Sequence, residues 1–232
     1  MASPQDPPLD LTAATQRLVR TADGLTDEEY AAPSALPGWT RAHVLAHLAL
    51  NAEGLAGALG GIVEGRRVPM YRSQEARDRD IDELAAAAPA EVRTRLLAAC
   101  TDLSDAIAAV PSDAEETTLE RTPGGRLFPA AEVPWMRLRE VEIHHADLAA
   151  GYDRSDWEPV FATHLIDWMV SRNDAEAPFR ARASDVDETW TFGEGGPVVT
   201  GRAVDLAWWL TGPGSGDGLT SEGGDLPQIG AW

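Results

Sequence analysis

The sequence predicts a mainly α-helical fold: a four-helix bundle followed by a small α+β domain. Three observations predict it. Up to about residue 152 the chain is rich in Ala and Leu, with apolar residues returning every three or four positions. Beyond Tyr152 that texture gives way to short alternating stretches broken by Gly, Pro and Asp. The chain has 232 residues, 44% of them hydrophobic, enough for two modest domains that each bury a core. The boundary falls near Gly151–Trp157, giving residues 1–152 as the bundle and 153–232 as the α+β domain.

The elements follow in order. "LDLTAATQRLVRTADGL" carries Leu11, Ala14, Leu18 and Ala22 on one helical stripe. "TRAHVLAHLALNAEGLAGALGGIVEG" reads as a longer helix, with Thr40 at its N-cap after the turn "LPGW". Ser73 caps a helix through "QEARDRDIDELAAAA", and Pro89 suits the first turn of "AEVRTRLLAACTDLSDAIAAV". "PSDAEETTLERTPGGRLFPAAEVP" is a loop with a short hairpin across "TPGG". A last long helix spans about Pro134–Ala150. In the second half, "WEPVFATHLIDWMVSRN" and "RAVDLAWWLTG" are helical, and "FRARASDVDETWTFGEGGPVVTG" alternates as strands do. The Gly-rich tail reads as loop, and there is no internal repeat.

Composition excludes several functions. The net charge of −19 repels phosphate backbones, so no nucleic-acid partner is expected. The chain contains no lysine, which removes Schiff-base chemistry and any P-loop lysine. The polar, Pro-rich start "MASPQDPPLD" is unlike a signal peptide, and no apolar run approaches the roughly 18 residues of a membrane span. The expectation is a cytoplasmic protein with no membrane partner. Cys100 is the single cysteine and lies on an apolar helix face, so it reads as an inert core residue.

The stretch "REVEIHHADL" concentrates charge on one helix. At about 100° per residue, Glu140 and His144 lie within about 40° of each other and Asp147 falls about 20° to the other side. The three form one polar stripe, while Glu142 and His145 point elsewhere. Such a stripe is either a solvated face or, turned inward, half of a metal site. "AHVLAHLA" offers His43 and His47 one turn apart on another helix, and facing helices of a bundle commonly project ligands inward. His47 with Glu140 and His144 makes two imidazoles and one carboxylate. That set suits zinc with an open fourth position, and also non-haem iron. His43 and His145 are read as surface or supporting groups, and His164 as a half-buried packing residue.

"LPGWTRAHVLAHLALNAEGL" followed by "REVEIHHADL" resembles the mycothiol-dependent maleylpyruvate isomerases, whose bundle is DinB-like. "YRSQEARDRDID" is similar to that family's arginine-bearing segment. "GRAVDLAWWLTG" with the closing "LPQIGAW" is similar to its sterol-carrier-protein-like C-terminal domain. The resemblance implies zinc held by His47, Glu140 and His144, a catalytic Arg77, mycothiol as cofactor, and a small anionic substrate. One departure stands out: the family pattern often continues "WLTG" with Arg, and here Pro213 follows Gly212.

The implied chemistry has its own logic. Cis–trans isomerisation of a conjugated diacid requires temporary loss of a double bond, which reversible addition of a thiolate provides. A metal deprotonates the thiol, and a planar guanidinium such as that of Arg77 suits the substrate carboxylate. The leading expectation is maleylpyruvate converted to fumarylpyruvate. The alternatives are a mycothiol S-transferase using the same thiolate, and a non-catalytic metal- or ligand-binding bundle.

Overall fold

The computed structural model describes residues 10–172, 177–212 and 214–230; Pro213 lies outside them. Two compact units are present, Asp10–Ala150 and the chain from Gly151 onward.

The first unit is helical. Helix α1 (Leu11–Gly24) starts at Asp10, whose side chain accepts from the Ala13 N–H, and buries Ala14, Leu18 and Ala22 as its stripe requires. A short α2 (Asp27–Ala31) follows, which the apolar pattern did not reveal. It rests on a reciprocal cap between Thr26 and Glu29. Helix α3 (Arg41–Val63) is capped by Thr40. Val44, Leu45, Ala46, Leu48 and Ala49 are all fully buried, so this stretch of α3 is enclosed on every side by the bundle. It packs against α4 (Gln74–Ala85) and α5 (Pro89–Ala109). Strands β1 (Thr118–Glu120) and β2 (Leu127–Pro129) form the hairpin across "TPGG".

Helix α6 (Val133–Asp147) packs on α1 and α3. It stops three residues short of the expected Ala150, because Ala149 takes φ +50° and Gly151 φ +85°. The carbonyls of the two residues just past its end are taken up by Arg41 at the start of α3: Nε donates to Leu148 O at 2.8 Å and Nη2 to Ala149 O at 2.6 Å. The Ala35 N–H donates to Asp147 O at 2.8 Å. The two helices are thereby tied at one end.

Most of the polar groups of α6 are buried, contrary to an ordinary surface helix. Each needs a partner. Arg17 Nη2 donates to Glu142 at 2.7 Å, and Thr21 Oγ1 meets His145 Nε2 at 2.8 Å, one turn apart on α1. Of the two readings, surface or supporting group, the surface one is excluded: His145 is packed in the interior at 1% exposure. Burial, with Arg17 nearby, pulls it down to about 4, so it is neutral. Arg137, also 1% exposed, donates to Leu48 O and Asn51 Oδ1, and its Nη2 lies 3.6 Å from Cys100 Sγ. Cys100 is only partly buried and has a cation beside it, which corrects the expectation of an apolar core thiol.

The second unit holds α7 (Pro159–Arg172) and α8 (Ala203–Leu210) with strands β3 (Phe179–Ala183), β4 (Thr189–Phe192), β5 (Val198–Gly201) and β6 (Thr220–Ser221). The sheet order is β4-β3-β5-β6, with β3 and β5 parallel and the other pairs antiparallel. The strand β6 falls in the tail that the sequence marked as loop. Phe179 stacks on Phe192 and meets Trp209 edge-on in the core. Asp205, 4% exposed, is held between Arg154 and Arg202 at 2.7 and 2.8 Å. Burial raises its pKa, and the two guanidinium groups outweigh that and keep it ionised. His164 is half-buried. Among the described residues no helix is long and apolar enough to cross a membrane.

Candidate metal centre

His47 reaches the centre because α3 is buried without interruption from Val44 to Ala52. The ring is 4% exposed and leans on Trp39 of the "LPGW" turn, with centroids 5.8 Å apart. Glu140 and His144 come from one face of α6. His47 Nε2 lies 2.9 Å from Glu140 Oε2, and His144 Nε2 lies 3.5 Å from the same oxygen. The imidazoles meet edge to face with centroids 4.7 Å apart. One ligand-type atom from each of the three residues lies within 4.8 Å of the others.

Charge in the cluster is strongly organised. Burial opposes a charge on His144, but bonds to Asp147 and Glu140 outweigh it and raise the ring to about 9. Burial dominates at His47 and lowers it to about 4 despite Glu140. Burial also opposes ionisation of Glu140, and the two imidazoles overcome it, holding the carboxyl well below its usual range. The centre therefore keeps one carboxylate beside one cationic and one neutral ring.

Two neighbours complete the site. Asp147 Oδ2 accepts from His144 Nδ1 at 2.8 Å, an arrangement that orients an imidazole whose other nitrogen serves a metal. Asp147 was visible in the polar stripe, but the sequence did not show which atom it would meet. Arg77, from α4, places Nη2 3.0 Å from His47 Nδ1, Nη1 2.8 Å from Asp78, and its guanidinium 5.7 Å from the centre of the Tyr71 ring. Tyr71 gets there because Gly54 allows close approach: a Cβ at Gly54 would lie 2.9 Å from Met70 O. Tyr71 and Trp39 are the site neighbours that residue patterns gave no reason to single out. His43 stands outside the cluster, bonded to Thr40 at its helix N-terminus.

The structure thus brings His47, Glu140, His144 and Arg77 together. Two imidazoles and a carboxylate with a carboxylate behind one ring fit a divalent metal, and no soft thiolate is among the donors. The family model described as the mycothiol maleylpyruvate isomerase N-terminal domain matches residues 11–149. The chain belongs to this family. Two solved structures of a mycothiol-dependent maleylpyruvate isomerase, one of them a single His-to-Ala variant, are similar to this family member over all of both chains. Each superposes with a TM-score of 0.88 at 28% sequence identity. Comparison with curated proteins gave no match.

Proposed function

We propose that this protein is a mycothiol-dependent maleylpyruvate isomerase, with zinc held by His47, Glu140 and His144. The observation that carries the reading is the three-residue donor cluster with Asp147 behind His144, in a chain that resembles such an isomerase throughout. Bound there, zinc would supply a deprotonated thiol sulfur at neutral pH, and the thiol the reversible addition that makes a cis double bond rotatable.

The chain's own residues supply the rest. Glu140 gives the metal one negative charge, and Asp147 keeps the His144 proton on Nδ1, leaving Nε2 for the metal. Arg77 is the group for the substrate: the protein as a whole carries −19 and repels a diacid, so a local fixed cation is needed. Arg77 lines a pocket of about 220 Å³ with Tyr71, Arg72 and Arg95, the last two already paired with Asp80 and Glu53 of the same lining. There it can pair a carboxylate and stabilise charge that develops on the conjugated oxygen during addition. Cys100 lies on α5 against Arg137 and outside that pocket's lining, so the adding sulfur comes from the external thiol.

The test is turnover of maleylpyruvate by purified, zinc-analysed protein with and without mycothiol. The reading expects thiol-dependent formation of fumarylpyruvate and about one zinc per chain. Turnover without added thiol refutes the external-thiol mechanism, and zinc-loaded protein inert with both reagents refutes the isomerase.

A further inference from the structure

His47 and His144 present equivalent nitrogens to Glu140, yet their outer nitrogens face groups of opposite kind. Asp147, 2% exposed, accepts from Nδ1 of His144, so that ring keeps a proton on Nδ1 whether or not Nε2 carries one. At His47 the neighbour of Nδ1 is Arg77 Nη2, at 3.0 Å. A guanidinium only donates, so Nδ1 must accept. The His47 proton then sits on Nε2, where Glu140 Oε2 receives it at 2.9 Å. In this tautomer Nε2 has no lone pair to give a metal. Arg77 is itself incompletely satisfied: its Nε is buried without a hydrogen-bond partner among the described residues.

We propose that metal loading is coupled to the position of Arg77 through the tautomer of His47. With a metal on Nε2, the ring carries its proton on Nδ1, and two donors face each other across the 3.0 Å contact. The guanidinium must then give up its contact with His47, which frees it within the pocket that Arg77 lines beside Tyr71 and Arg72. The proton count of the ring is unchanged, since Nε2 gives up one proton and Nδ1 takes one. The substrate-binding cation is thus parked on a ligand in the metal-free protein and freed when the centre is filled. Asp147 has no such effect on His144, because its contact already favours the ligand tautomer.

This inference rests on the metal centre proposed above, and the experiment separates the two. Zinc affinity of the full-length protein is measured by competition with a chromophoric chelator for wild type, Arg77→Met and Asp147→Asn, each checked for folding by circular dichroism. Arg77→Met should bind zinc roughly tenfold tighter, having lost a competing charge-assisted hydrogen bond, and Asp147→Asn about 10- to 100-fold weaker. Ring ¹⁵N spectra provide a readout that charge repulsion alone would not move. They should show His47 protonated on Nε2 without zinc and on Nδ1 with it. Zinc binding of equal strength in wild type and Arg77→Met overturns the coupling and leaves the metal centre standing. So does a zinc-free His47 already protonated on Nδ1. A wild type that binds no zinc overturns the metal centre and the coupling with it.

Discussion

Stripped of metal by a chelator, the protein should be most stable near pH 6.5 and should weaken on either side. His144 titrates at 6.5 when unfolded and about 9 when folded, so its contribution is fully present below pH 6.5. It is lost as the pH rises through about 9. That shift corresponds to about 3 kcal/mol. His47 runs the other way: its folded value of about 4 lies below the unfolded 6.5, so its protonation on acidification favours the unfolded chain. Because both rings share Glu140, these amounts belong to the cluster as a unit. The assay is urea denaturation of metal-free wild type and His144→Gln, followed by circular dichroism across that range. Wild type should exceed the variant near pH 6.5, and the gap should narrow towards pH 9. A gap that stays constant, or widens with rising pH, refutes the charge assignment.

Three further outcomes are expected. His47→Ala or His144→Ala should abolish zinc binding, whereas His164→Ala should retain it, as elemental analysis of the purified proteins will show. Arg77→Ala should keep one zinc per chain at saturating metal and lower kcat by roughly a hundredfold, about 3 kcal/mol, through loss of a bidentate contact to developing charge; unchanged turnover would place Arg77 outside the chemistry. Cys100→Ser should retain thiol-dependent turnover, and a folded, zinc-loaded but inactive Cys100→Ser protein would move the nucleophile into the chain.

The bundle was legible because its signals are local. The Ala14–Leu18–Ala22 stripe, the caps at Thr40 and Ser73 and the hairpin across "TPGG" each depend on a few neighbouring residues. The shared face of Glu140 and His144 was readable from the helical period, but nothing local says which helix lies opposite. Ninety-three positions separate His47 from Glu140, and the pairing came from the general habit of bundles to project ligands inward, with the family resemblance in support. The period rightly turned Glu142 and His145 away from the ligand stripe, but that they would meet α1 rather than water, α6 being enclosed, was not readable. Cys100 was misjudged for a related reason: its cation, Arg137, arrives from 37 residues away. Short α2 escaped notice because its sequence, "DEEYA", carries one apolar anchor, Tyr30, and forms through capping.

The Arg41 tie between α3 and α6 has a bearing on how the cage comes apart. Helix ends ordinarily fray first and independently of one another. Here the two carbonyls just past α6 are bonded to the first residue of α3, and His47 and His144 each lie within two turns of that junction. Unwinding the end of either helix therefore loosens the other, so opening near the ligands is a joint event with the free energy of two helix termini rather than one. In hydrogen exchange the amides of Val44–His47 and of His144–Leu148 should accordingly open with a common rate, as one cooperative unit whose spacing is set before any ion arrives.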